Sequence, residues 1–134
     1  MSNLWVDANV LLRFITGDPP EMAQRALRLV ERAELGEVTL RLSPLVVAEI
    51  VWVLGSFYCY PRTQIAEVLL PLVTAKGVHL EATEQVVAAL DRMATANVDF
   101  IDAFLAENAR SEGGAVASFD QDFSRLGVDW VEPN

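Results

Sequence analysis

A chain of 134 residues, 52% of them hydrophobic, is the size of one domain and can bury about two-thirds of its unfolded surface. No apolar run reaches the roughly 18 to 20 residues of a bilayer span, and Met1-Ser2-Asn3 lacks the basic start of a signal peptide. The net charge of −9 argues against nucleic-acid binding through a broad basic surface. It leaves open an acidic cluster that recruits divalent cations, because bound ions invert the local field. A single cysteine, Cys59, excludes an intrachain disulfide and fits a reducing cytoplasm, where the protein is expected to reside. Between Tyr58 and Tyr60, with no other Cys or His nearby, Cys59 reads as structural. The apolar excess implies a buried central sheet and an exposed apolar patch, hence a protein–protein interface.

In chain order, Asn3–Asp7 reads as a short strand with an acidic last residue. Ala8–Thr16 has a helical spread of apolar positions and Gly17 ends it. Asp18-Pro19-Pro20 starts a second helix that Gly36 stops. On it, Met22, Ala26, Leu27 and Val30 are expected on one face and Arg25, Arg28 and Arg32 away from it. Val38–Leu42 alternates as a strand. Ser43-Pro44 supplies an N-cap and a first-turn proline for a helix to about Gly55 or Tyr58.

Pro61-Arg62-Thr63 opens a further helix through about Val73, ended by Gly77, with Leu69, Leu70, Leu72 and Val73 covering more than one buried stripe. Val78–Leu80 is a strand, on which His79 reads as a surface residue. Thr83–Met93 and Phe100 to about Arg110 are helices, Ala115–Phe119 is a strand, Asp120–Phe123 a helical turn and Val128–Val131 the last strand. The alternation predicts a single α/β domain over residues 1–134. Its mainly parallel five-stranded sheet has helices on both faces and a ligand site at the strands' carboxyl ends.

The helix opened by Pro44 is apolar on every side for about three turns except at Glu49, and no Lys or Arg lies between Ser43 and Pro61. That pattern predicts a buried helix with an unpaired carboxylate, which costs several kcal/mol or more unless compensated. Either Glu49 meets a backbone group or a distant Arg, or it holds a cation.

The other acids favour the cation. Asp7 ends the first strand, Asp99 and Asp102 open a helix three residues apart, and Asp120 and Asp122 follow the Ala115–Phe119 strand. All stand at strand ends or in first helical turns. Their mutual repulsion would be relieved by a divalent cation, and carboxylate oxygens suit Mg²⁺ or Mn²⁺ better than zinc. Each alone has a simpler role: Asp7 as a helix cap, Asp99 as an N-cap (the favoured role for it), Asp120 and Asp122 as turn residues.

Four segments together resemble the motifs of PIN-domain ribonucleases, and most closely those of VapC-type toxins of toxin–antitoxin pairs. They are Val6–Leu12, Val46–Ile50, Asp99–Ala106 and Ser118–Phe123, in order across nearly the whole chain. The resemblance implies a catalytic, metal-binding quartet of Asp7, Glu49, Asp102 and Asp120, with Asp122 as an auxiliary ligand. It also implies that Asn9 and Ser118 orient the acids and a water. Ser118 stands where Thr is commoner and keeps the hydroxyl. Asp99 accompanies the third motif in only part of the family.

Such a site would use one or two Mg²⁺ (or Mn²⁺) ions to activate water for in-line attack on an RNA phosphodiester, leaving a 5′-phosphate and a 3′-hydroxyl. Arg13 could guide the RNA backbone, although ten basic residues make a modest footprint. The expected partners are RNA, a cognate antitoxin protein that inserts a basic side chain toward the acids, and a second copy of the chain. The dimer surfaces are expected on the Thr63–Val73 helix and the Trp52–Tyr60 region. A receiver domain would need a lysine after a late strand, yet the only lysine is Lys76, before the third strand. A haloacid-dehalogenase-type phosphatase would need Asp where Asn9 stands. A non-catalytic PIN-like binding module is the alternative from another class.

Overall fold

Three strands run in one parallel sheet in the order β1-β2-β3: β1 is Ser2–Trp5, β2 Val38–Leu42 and β3 Val78–Leu80. These come from a computed structural model that describes residues 2–134. Among these residues six α-helices alternate with the strands: α1 Ala8–Thr16, α2 Pro20–Glu34, α3 Pro44–Ser56, α4 Arg62–Val73, α5 Thr83–Ala96 and α6 Phe100–Ser111. Strands β4 (Ala115–Ala117) and β5 (Asp129–Val131) pair parallel in a second sheet, joined through a short 3-10 helix, Gln121–Arg125. The expected five-stranded sheet is therefore a three-stranded and a two-stranded one. Strand alternation in the sequence specifies parallel pairing, but carries no signal for how many strands one sheet takes in.

The chain forms two compact units, one ending at Thr83 and the other spanning Glu84–Asn134. In the first, β2 is buried on alternate residues, with Val38, Leu40 and Leu42 all but inaccessible. Its register with β1 sets Trp5 beside Arg41, whose guanidinium lies 5.4 Å from the indole centroid. Helix α2 packs on β2, α4 on β3, and α1 against both α2 and α3. One close approach fixes a residue. Gly77 has φ +86°, and a Cβ there would stand 2.3 Å from the Ala33 carbonyl oxygen, so only glycine lets α2 lie this near the entry to β3. The Gly77 carbonyl in turn accepts from the Leu40 amide at 2.8 Å.

Helix α4 differs in role from its sequence reading. Leu69, Leu72 and Val73 are buried with Ile65 and Ala66, so its broad apolar surface is core and not an exposed patch. Exposed apolar side chains lie instead on and just after α3: Leu45 is 81%, Trp52 68% and Phe57 75% exposed.

In the second unit, α6 packs against β4 and the 3-10 helix against β5. The core is Val86, Ala89, Leu90 and Met93 of α5, Phe100, Ala103 and Ala106 of α6, and Val116, Phe123 and Leu126. Glu107 is the one charged residue buried among the described residues, and Arg110, one turn on, donates to both its carboxylate oxygens. Such pairing is the condition for keeping a carboxylate out of water. No helix among the described residues is long and apolar enough to cross a membrane.

Candidate active site

The parallel ladder of β1 and β2 continues one bond past Trp5, with the Val6 amide donating to the Arg41 carbonyl at 3.1 Å. Asp7 follows at once, and Ser43 holds the corresponding place after β2. Both residues have extended backbone and cap the helices they precede. The Asp7 carboxylate accepts from the Val10 amide at 3.2 Å, and the Ser43 hydroxyl from the Leu45 amide at 3.1 Å. Asp7 is exposed, so capping occupies one oxygen of a carboxylate that otherwise faces solvent.

Glu49 lies five residues into α3, about 7–8 Å along its axis from Pro44. The expectation that it is buried is wrong: it is exposed, on the same face as Leu45 and Trp52, while Val47, Ile50 and Leu54 take the core face. An all-round apolar sequence gave no periodic cue, and the exposed stripe was masked by its own leucine and tryptophan. Glu49 carries no burial penalty, and among the described residues its side chain makes no hydrogen bond or ion pair.

Beside Asp7, α1 and α2 enclose a groove of about 340 Å³ lined by Asp7, Asn9, Val10, Arg13, Met22, Arg25, Ala26 and Leu29. Arg13 is half-buried. One terminal nitrogen donates to the Asp18 carbonyl at 3.3 Å, whereas Nε is enclosed without a partner among the described residues. Arg25, expected to point away from the apolar face of α2, lines the groove. The signal was present in the spacing of Met22, Arg25, Ala26 and Leu29, which share one helical face. Of the residues expected to share one apolar face, Met22 is 47% exposed in this groove and Leu27 is also exposed, while Ala26, Val30 and Ala33 are the residues of α2 that are buried.

In the second unit, Asp99 occupies the N-cap position of α6, but its side chain makes no capping bond, contrary to its expected role. Asp102, half-buried, is in the first turn. A three-residue turn joins α6 to β4 and the two pack together, so α6 runs back along the strand and its first turn lies toward β4's carboxyl end. There Ser118 is held from three sides. Its amide donates to the Val131 carbonyl at 3.0 Å, its carbonyl accepts from the Trp130 indole at 2.8 Å, and its hydroxyl accepts from the Asp120 amide at 3.0 Å. Asp120 in turn accepts from the Asp122 amide at 2.8 Å, and Asp122 is ion-paired with Arg125 at 2.6 Å. Ser118 thus sets the turn that presents Asp120, while Asp122 is engaged inside the 3-10 helix.

Asp7 and Glu49 belong to the first unit, and Asp102 and Asp120 to the second. Among the described residues no three His, Cys, Asp or Glu side chains form a group that could hold a metal ion. The donors singled out are all carboxylates, the chemistry of a hard divalent cation, so the residues present suit such an ion in kind while no three-ligand geometry is assembled.

No curated protein matches this chain. The family model described as PIN domain matches residues 4–129. That span runs from β1 to the first residue of β5 and takes in Asp7, Glu49, Asp102 and Asp120. PIN domains are generally nucleases that act on nucleic acid and typically use divalent metals. With its alternating helices and parallel strands, and a match over nearly its whole length, the chain belongs to the PIN domain family.

Proposed function

We propose that this protein is a divalent-metal-dependent endoribonuclease that acts as the toxin of a toxin–antitoxin pair. The observation that carries the reading is the family match over residues 4–129, which includes all four acidic motifs in order. Because the match runs through both compact units, residues 1–134 are read as one PIN-like domain. Asp7, Glu49, Asp102 and Asp120 are the proposed catalytic carboxylates and metal ligands. Asp122 is the weaker candidate, since Arg125 already neutralises it. Bound Mg²⁺ or Mn²⁺ would polarise the scissile phosphate and make the attacking water easier to ionise.

The chain's own residues do the rest. The α1 cap fixes one Asp7 oxygen and leaves the other free, and Asn9 stands beside it in the same groove. The Ser118 turn holds Asp120 in place. Asp99 starts α6 one turn before Asp102. Arg13 supplies positive charge for a backbone phosphate. RNA as substrate and the antitoxin follow from the likeness of the motifs to VapC-type toxins, a cytoplasmic setting from the single cysteine, and a homodimer from the apolar excess, for which the exposed Leu45, Trp52 and Phe57 supply surface. A panel of structured RNAs incubated with the purified protein tests the reading. Cleavage to 5′-phosphate ends in magnesium or manganese, abolished by EDTA, is expected. Intact RNA under every metal condition, or equal cleavage in EDTA, would refute it.

A further inference from the structure

Four of the ten basic residues lie on α1 and α2, and two of these, Arg13 and Arg25, line a groove to which Asp7 also belongs. Neither is used up. Among the described residues the Arg13 Nε is enclosed without a partner, and Arg25 makes no hydrogen bond or ion pair although acids outnumber bases 19 to 10. The same groove has apolar lining: Val10 from α1, with Met22, Ala26 and Leu29 from one face of α2. At about 340 Å³ the groove is at the small end of ligand sites, a size for one planar group with its linker and not for a duplex.

We propose that this groove takes a single unstacked nucleotide of the RNA strand, adjoining the phosphate to be cut. Its own phosphate would lie on Arg13 and Arg25, and its base against the apolar wall. This inference rests on the nuclease reading. Arginine matches a phosphate with two parallel donors, so two of them oriented by α1 and α2 fix the strand's path. The apolar wall accepts the face of any base, giving grip without sequence readout. Asp7 lines the same groove, which brings this nucleotide to the proposed catalytic carboxylate.

The test uses the full chain in EDTA, so that binding is read without cleavage, with single-stranded tetrauridylate as the probe. The methyl resonance of Met22 reports the groove, and that of Met93, 1% exposed in the second unit, is the control. The tetramer should shift Met22 saturably and leave Met93 in place. Arg25→Gln should weaken binding about tenfold and lower the dependence of log Kd on log salt by about one, while Arg25→Lys recovers part of both. Arg25 is exposed, so the substitution leaves the core untouched. If the wild type cleaves RNA yet Met22 does not move and Arg25→Gln binds normally, the groove is not this subsite and the nuclease reading stands. If a glutamate-rich octapeptide moves Met22 and the tetramer does not, the groove belongs to a protein partner and the inference is overturned. If the wild type neither binds nor cleaves RNA with magnesium present, the nuclease reading fails and this inference fails with it.

Discussion

At the scale of single residues, Glu49 separates what sequence shows from what only the fold can. Its identity as a site candidate was legible, because one acid in an eleven-residue apolar run needs an explanation. Its environment was not, since Leu45 and Trp52 are apolar yet face solvent beside it. The consequence is a sharper expectation for Glu49→Gln. With no burial penalty to relieve and no partner to orphan, the metal-free protein should unfold within about 0.5 kcal/mol of wild type. RNA cleavage should nevertheless be lost, because the amide removes a charge from the proposed metal site. Urea unfolding in EDTA beside a cleavage assay checks both parts. A loss of several kcal/mol with normal cleavage would make Glu49 structural. Arg25 shows the opposite failure. It is exposed, as its place off the buried face implies, but its share in a groove with Met22, Ala26 and Leu29 was not read from their spacing.

Elements were read more securely than environments. The helix ends at Gly17, the Ser43-Pro44 start of α3 and the Asp7 cap all follow from local chemistry, and each lies where the sequence placed it. Strand β4 ends at Ala117, two residues sooner than expected: Ser118 still donates its amide to Val131, but its hydroxyl accepts from the Asp120 amide and turns the chain there. Packing between elements yields a prediction that local chemistry does not. Gly77→Ala forces a Cβ onto the Ala33 carbonyl at a positive φ, so it should destabilise by about 3 kcal/mol in equilibrium unfolding. A change below 0.5 kcal/mol would show that α2 can retreat from β3 without loss. For α3, Leu45 and Trp52 lie two turns apart on one face, with Phe57 just beyond. If they form the proposed dimer surface, Leu45→Glu with Trp52→Glu should convert a dimer at tens of micromolar to a monomer by light scattering, with unchanged circular dichroism. A wild-type monomer at that concentration would remove the dimer from the account.

For the whole molecule, the order of strands and helices gave the α/β class, and the ordered acidic motifs gave the family that the match over residues 4–129 shows. The division into a three-stranded and a two-stranded sheet was beyond the sequence, because short strands such as Val78–Leu80 and Ala115–Ala117 encode that they pair but not how far a sheet extends. The convergence of carboxylates is likewise a reading of motif order and not of distance, since no three acids among the described residues form a metal-binding group. Whether the four carboxylates share a cation is decided by Mn²⁺ binding in calorimetry, on the wild type and on Asp7→Asn, Glu49→Gln, Asp102→Asn and Asp120→Asn. Four acids sharing one cation predict that the wild type binds and that each substitution alone weakens binding about tenfold or more, roughly 1.4 kcal/mol. No binding by the wild type, or an affinity unchanged in any of the four variants, would contradict a shared site.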